Sequence, residues 1–160
     1  MILVILGTWR MPFVRPLKEI EQLIISGIIR ERVIVQAGVT QYLTSNMDVR
    51  SFLDKEEFDK LYDEATLIIT HAGEGSIILG LKKNKRVISI ARLVKYNEHI
   101  DDHQLDILSV FSSKNYLLAW EDEVNLEDVL NKLNTFVPVP YPFSEDKISE
   151  AIIDFLEKKD

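Results

Sequence analysis

Residues 70–76 read Thr70-His71-Ala72-Gly73-Glu74-Gly75-Ser76 and directly follow the apolar run Leu67-Ile68-Ile69. A short apolar run bounded by a glycine-rich turn reads as a buried strand. The apolar residues after Ser76 read as the first turns of a helix. A glycine turn that opens a helix leaves the leading backbone N–H groups without partners. Those groups bind anions such as a diphosphate. A tight strand-to-helix turn with no ligand uses the same residues, and the glycines alone do not choose between the two.

Working outward, apolar runs and helical spacings alternate along the chain. Ile2–Leu6 is continuous, as in a strand covered on both faces. A loop with Gly7, Thr8, Trp9 and Pro12 follows. Leu17, Ile20, Ile24 and Ile28 then fall at helical spacing and predict a helix over 14–28. Arg32–Gln36 and Asp48–Leu53 predict strands. Asp54 with Glu57 three residues on predicts a capped helix to about Glu64. Thr66–Thr70 is a strand, Ser76–Lys83 a helix and Arg86–Ala91 a strand. Residues 101–112 form a helix with Leu105, Leu108 and Phe111 or Ser112 inward. Tyr116–Ala119 is a last strand, and Asn125 caps a helix over 126–134 with Asp128 at the reciprocal position. This order predicts an α/β fold with a mainly parallel sheet flanked by helices. In such sheets ligands bind at the carboxyl ends of the strands. The Gly7 loop, Phe52-Leu53, the His71 loop and the Arg92 loop are therefore expected to converge on one crevice.

Composition narrows the function classes. The chain has 160 residues, 46% apolar and 28% charged, with a net charge of −7 and no cysteine. One domain with one core is the simplest expectation at this length. The acidic balance disfavours nucleic acid and direct docking on an anionic membrane. The lack of cysteine excludes disulfides and thiolate chemistry. Met1–Leu6 is too short for a signal peptide or a membrane span and reads as a first core strand, and the absence of cysteine fits the cytoplasm. Residues 1–136 are expected to form the core. Residues 137–143, with prolines at 138, 140 and 142, read as an extended connector. Residues 144–158 read as a C-terminal helix striped by Ile148, Ala151, Ile152, Phe155 and Leu156, folding back on the sheet or docking on a partner.

His71-Ala72-Gly73-Glu74-Gly75-Ser76 resembles the HAGxGS motif of the glycosyltransferase family 28 C-terminal domain. Asp102-His103-Gln104-Leu105 resembles that family's N/D-H-Q-L segment, and Gly7-Thr8 its first phosphate loop. The match runs from about residue 1 to 134 in the right order and spacing. It is similar both to the small subunit of the eukaryotic two-part UDP-N-acetylglucosamine transferase and to small subunits of bacterial two-part exopolysaccharide or capsule transferases. The long Arg92–Gln104 stretch looks more like the bacterial type. The resemblance implies the Rossmann-like, donor-binding C-terminal half of a GT-B enzyme. Such a half takes a UDP-sugar. A membrane-anchored partner supplies the other half and the lipid-linked saccharide acceptor, and keeps this chain at the inner face of the membrane without direct insertion.

Roles follow residue by residue. Gly73, Gly75 and Ser76 are expected to present N–H groups and a hydroxyl to the diphosphate, with Gly7 and Thr8 opposite. His71 contacts a phosphate or the sugar, and if protonated stabilises the departing diphosphate. Its bland alternative is a neutral histidine pinning the loop to a carbonyl. Gln104 offers a donor and an acceptor for sugar hydroxyls, beside Asp102 and His103. Phe52 and Leu53 sit where relatives receive uracil, or simply pack in the core. Arg92 could neutralise diphosphate charge, with Lys95 a weaker candidate. The Asp101-Asp102-His103 triplet is not expected to hold a metal, because successive residues do not share a helix face, and no cofactor is called for. Two departures stand out. Relatives carry a ribose-binding glutamate where this chain has Gly80, and Glu74 would have to point away from a diphosphate. The Trp9–Phe13 loop and the C-terminal helix are the candidate partner surfaces. Open alternatives are a non-catalytic nucleotide-sugar-binding protein and a Rossmann-like interaction module.

Overall fold

The computed structural model describes residues 1–143; the expected helix over 144–158 lies outside the described residues. Among the described residues, six strands form one parallel sheet in the order β3-β2-β1-β4-β5-β6. They are β1 (Ile2–Ile5), β2 (Val33–Gln36), β3 (Asp48–Arg50), β4 (Leu67–His71), β5 (Arg86–Ile90) and β6 (Leu118–Ala119). The helices are α1 (Arg15–Ile25), α2 (Lys55–Glu64), α3 (Glu74–Lys82), α4 (His103–Ser113) and α5 (Leu126–Leu133), with a 3-10 turn at Val94–Tyr96. Strand order reverses between β1 and β4. A crevice at the carboxyl end of that junction is the expected ligand position in an open parallel sheet.

The sheet is apolar on both faces because helices cover both. Alternate residues of β1 and the Leu6 that follows it point to opposite layers: Ile2, Val4 and Leu6 pack with α1 and α5, and Leu3 and Ile5 with α2, α3 and α4. Each fully buried Leu or Ile contributes about 1.5–3 kcal/mol, so these two layers hold the strand ends in register. Asp54 accepts from the Glu57 N–H and Asn125 from the Asp128 N–H, as capping residues should. α1 stops at Ile25 rather than 28, where the chain turns at Gly27 with φ of 76°.

α4 is rotated relative to expectation. Leu105 is 44% exposed, while Gln104, Leu108 and Phe111 face inward. The connector is extended but pinned. The Val139 N–H donates to the Asn115 carbonyl at 2.9 Å, and Tyr141 packs against Phe111 and Tyr116 at ring distances of 5.8 and 4.9 Å. Among the described residues no helix is long and apolar enough to cross a membrane.

Candidate functional site

The carboxyl ends of β1 and β4 carry two glycine turns with one imidazole between them. A Cβ on Gly7 would lie 2.6 Å from His71 Nε2, and one on Gly73 would lie 2.0 Å from His71 Cε1. Only glycine at both positions leaves a slot wide enough for the ring. Gly7 also has φ of 78°, and Gly38, after β2, has φ of 59° with its Cβ position 2.3 Å from the Gly7 carbonyl oxygen. The ends of β1 and β2 thus meet at backbone-to-backbone distance, and the imidazole from the end of β4 fills the gap beside them; side chains at 7 or 38 would prevent this.

α3 begins directly above this floor. Its N-cap is Gly73, which has no side chain to cap the helix. The Gly73 N–H is used by the His71 carbonyl at 2.7 Å, and the Ile77 N–H by the Gly73 carbonyl. The leading N–H groups of Glu74, Gly75 and Ser76 therefore face forward, with the positive end of the helix dipole behind them. Gly75 is exposed and has nothing within 4 Å of its Cβ position, and Thr8, in the turn after β1, is exposed. Because Gly75 is free of steric demand, Gly75→Ala separates two uses of the glycine. If a phosphate must approach the backbone there, the variant keeps or gains stability, by up to about 1 kcal/mol. Its UDP affinity, read by calorimetry, then falls about tenfold, the equivalent of roughly 1.4 kcal/mol.

His71 is neutral at pH 7. Burial, then the charges of Arg92 and His99, pull its pKa down to about 4. A cation in this slot would lie beside Arg92 and against the helix dipole, so the uncharged ring is the favoured form here and the bland alternative of a neutral histidine is the one this geometry favours. A lowered histidine pKa makes stability pH-dependent with a definite sign. Unfolded, the ring binds a proton near 6.5; folded, only near 4. Between those values the unfolded chain binds more protons, so stability falls as pH drops through the window. At roughly 1.4 kcal/mol per unit the loss is on the order of 3 kcal/mol. Urea midpoints at pH 7 and 4.5 should drop more for the wild type than for His71→Gln.

Arg92 and Gln104 are where the structure departs most from the expected roles. Arg92 is 0% exposed. Its Nη1 donates to the carbonyls of Met11 (2.7 Å) and Glu98 (3.0 Å), its Nη2 to the carbonyl of Leu6 (2.7 Å), and its guanidinium lies 4.7 Å from the Phe13 ring centroid. Burial pulls its pKa down to about 10. It braces the β1 loop from below instead of reaching into the crevice. Gln104 is 8% exposed. Its Oε1 accepts from the Arg92 backbone N–H at 3.0 Å, and its Nε2 donates to His71 Nδ1 at 3.3 Å. One lone pair and one N–H of the amide are thus used inside the protein, which ties the side chain to the strand ends as well as to the site.

The remaining candidates scatter around the rim. Phe52 is 60% exposed at the end of β3, so its packing alternative fails, while Leu53 is half-buried against the α2–α4 layer. Asp102 is exposed and its Oδ1 accepts from the Val94 N–H at 2.9 Å; exposed His103 lies 3.5 Å from Asp106. Lys95 pairs with Asp122. A Cβ at Gly80 would sit 2.8 Å from Val87 Cγ2, beside the Tyr62 hydroxyl. That position packs α3 onto β5 and cannot host a ribose-binding glutamate. Burial, then Tyr116 and the charge of Glu74, push the Tyr141 hydroxyl up, which sets Glu74 near the connector. Phe13, expected to be exposed in a partner loop, is buried beneath Arg92 and donates its N–H to Thr40 Oγ1 at 3.0 Å. Trp9 stacks on His99 at 4.5 Å.

Two contributors escaped the sequence reading. Gly38 had a local signal, a glycine directly after a strand. Glu98 had none: it is buried, accepts from the Leu93 N–H and pairs with both Nε and Nη2 of Arg15, 83 residues away.

The comparisons with known proteins agree with this architecture. The glycosyltransferase family 28 C-terminal domain matches residues 2–157. The UDP-N-acetylglucosamine transferase subunit ALG13 of Candida albicans is 32% identical over 94 residues, which is 59% of this chain. The chain spans 30% of that protein's length. Among solved structures, the NMR solution structure of ALG13 superposes with a TM-score of 0.60 at 22% identity, covering 95% of this chain and 94% of that one. The crystal structure of Acinetobacter baumannii MurG gives 0.51 at 16% identity, over 82% of this chain and 40% of that one. These likenesses are of fold, that of the C-terminal domain of GT-B glycosyltransferases. With its parallel sheet, its glycine turns at the strand reversal and a family match over nearly its whole length, the chain belongs to the glycosyltransferase family 28 C-terminal domain family.

Proposed function

We propose that this chain is the donor-binding half of a two-component glycosyltransferase, moving a sugar from a UDP-sugar to a lipid-linked saccharide. One observation carries the reading. The N-terminus of α3, without a side-chain cap, follows β4 at the strand reversal, where Gly7 and Gly73 close on the same imidazole. Sugar transfer builds positive charge at the anomeric carbon and negative charge on the departing diphosphate. Pre-aimed N–H donors and a helix dipole stabilise that negative charge without reorganising. Glu74, Gly75 and Ser76 supply the N–H groups, Ser76 a hydroxyl, and His71 a neutral ring at the floor. Exposed Phe52 supplies an apolar surface for the pyrimidine, and Asp102 and His103 stand at the α4 end for sugar hydroxyls.

Among the described residues, the histidine at the floor of the site is not suited to take a proton from an acceptor. His71 is buried and low in pKa, a poor base at neutral pH. The base and the acceptor site are assigned to a membrane-anchored partner, which would hold this chain at the cytoplasmic face. The word subunit in the name of the Candida albicans relative supports a partner, and that name supports N-acetylglucosamine as the sugar. A setting in bacterial exopolysaccharide or capsule synthesis rests only on the long Arg92–Gln104 stretch and draws no support from that relative.

Calorimetry with UDP, UDP-sugars and ADP tests the site: selective UDP binding supports it, and no UDP binding favours a structural glycine loop. Co-expression with a membrane-anchored partner tests the chemistry. Transfer to lipid by the pair and none by the chain alone is the expected result. UDP binding with no transfer by the pair would favour a non-catalytic nucleotide-sugar-binding protein.

A further inference from the structure

Gln104 is polar, buried, and on the inward face of α4, in a place where an apolar residue would pack more cheaply. Its two hydrogen bonds fix the orientation of its amide. The Arg92 backbone N–H is a donor, so the group facing it at 3.0 Å is the acceptor Oε1. The opposite orientation would set an NH2 against an N–H. Nε2 is then the atom 3.3 Å from His71 Nδ1, and an amide nitrogen only donates. A donor can meet Nδ1 only where that nitrogen carries a lone pair, so the proton of a neutral ring sits on Nε2.

Nε2 lies at the gap between the two turns: it is the His71 atom nearest a Cβ on Gly7, at 2.6 Å, and 2.7 Å from one on Gly73. Among the described residues no group accepts from it. From this geometry we infer that Gln104 is a positioning residue. By bridging the Arg92 N–H and the imidazole it holds His71 as the Nε2–H tautomer. It thereby presents one further uncharged donor beside the α3 N-terminus. The use of that donor, for an oxygen of the departing diphosphate, rests on the donor-site reading above. A neutral N–H suits the place because the site already faces Arg92 and a helix dipole, and burial favours the uncharged ring, which the lowered pKa of His71 supports. Gln104 acts through His71 and touches no reacting atom.

The test uses the full chain with 15N-labelled histidine, read by long-range proton–nitrogen spectra at pH 7 without nucleotide. The wild type should show a pyrrole-type Nε2 and a pyridine-type Nδ1 for His71. Gln104→Glu keeps the size and the acceptor for the Arg92 N–H but turns the donor facing His71 into an acceptor. It should move a proton onto Nδ1, as the other tautomer or as an imidazolium titrating at higher pH. A merely space-filling Gln104 would leave the ring nitrogens unchanged. A wild-type ring protonated on Nδ1, or unaltered His71 signals in a folded Gln104→Glu, overturns the inference. The wild-type spectrum decides even where the variant does not fold. A UDP titration of the same sample separates the two levels. The expected tautomer with no UDP binding keeps the role of Gln104 and removes the donor site. UDP binding to a ring protonated on Nδ1 does the reverse.

Discussion

Arg92→Met is expected to lower the stability of the fold by about 3–5 kcal/mol, because it leaves several buried carbonyls without donors. Methionine nearly preserves volume, so the loss isolates hydrogen bonding. Three carbonyls, those of Leu6, Met11 and Glu98, would be left buried without donors, at about 1–3 kcal/mol each before relaxation. Arg92→Lys should be intermediate, because one ammonium on a flexible stem cannot reproduce a planar fork reaching three oxygens. Urea midpoints at constant slope are the measurement. A change below about 1 kcal/mol would mean the carbonyls find water, and the brace would not be structural. The result bears on function because Arg92 ties the β1 loop to the end of β5. Loosening it should degrade UDP binding without touching any group proposed to contact the nucleotide.

Gly73→Ala is expected to reduce UDP affinity at least a hundredfold, roughly 2.8 kcal/mol, with a smaller loss of stability. The added methyl would sit 2.0 Å from His71 Cε1, so the ring must leave its slot. On leaving, it gives up the Gln104 hydrogen bond and swings into the space before α3, where the diphosphate is proposed to lie. Backbone strain is not the cause, since Gly73 has φ of −89°, a value any residue adopts. The contrast with Gly75→Ala, which meets nothing, is therefore a contrast of position within one turn. Equal, small effects of both substitutions would show that the imidazole slot does not shape the site.

Much of the fold was legible because its signals are local. Apolar runs of strand length, the Asp54 and Asn125 caps and the alternation of strand with helix each act over a few residues. The rotation of α4 was not legible. Leu105, Leu108 and Ser112 satisfy helical spacing, and so do Gln104, Leu108 and Phe111; the pattern admits both. The second wins because Gln104 finds two partners on the strand ends, a long-range fact. The site divides the same way. His71, Gly73 and Gly7 were identifiable as a cluster from their positions after strands. That Arg92 and Gln104 serve beneath the crevice was hidden, because a buried guanidinium is tolerable only when distant carbonyls meet it. Its partners Leu6 and Met11 lie 86 and 81 residues away. Hydropathy reads arginine and glutamine as surface residues, and here tertiary hydrogen bonding overrides that expectation.

A titration of the 15N-labelled chain with UDP, followed amide by amide, bears most directly on whether a diphosphate sits at the α3 N-terminus. The expected result is saturable binding with the largest shifts at the amides of Thr8, Gly75 and Ser76, and none from ADP at the same concentration. Failure of those three amides to move at millimolar UDP, or a saturable response centred on another edge of the sheet, would contradict it.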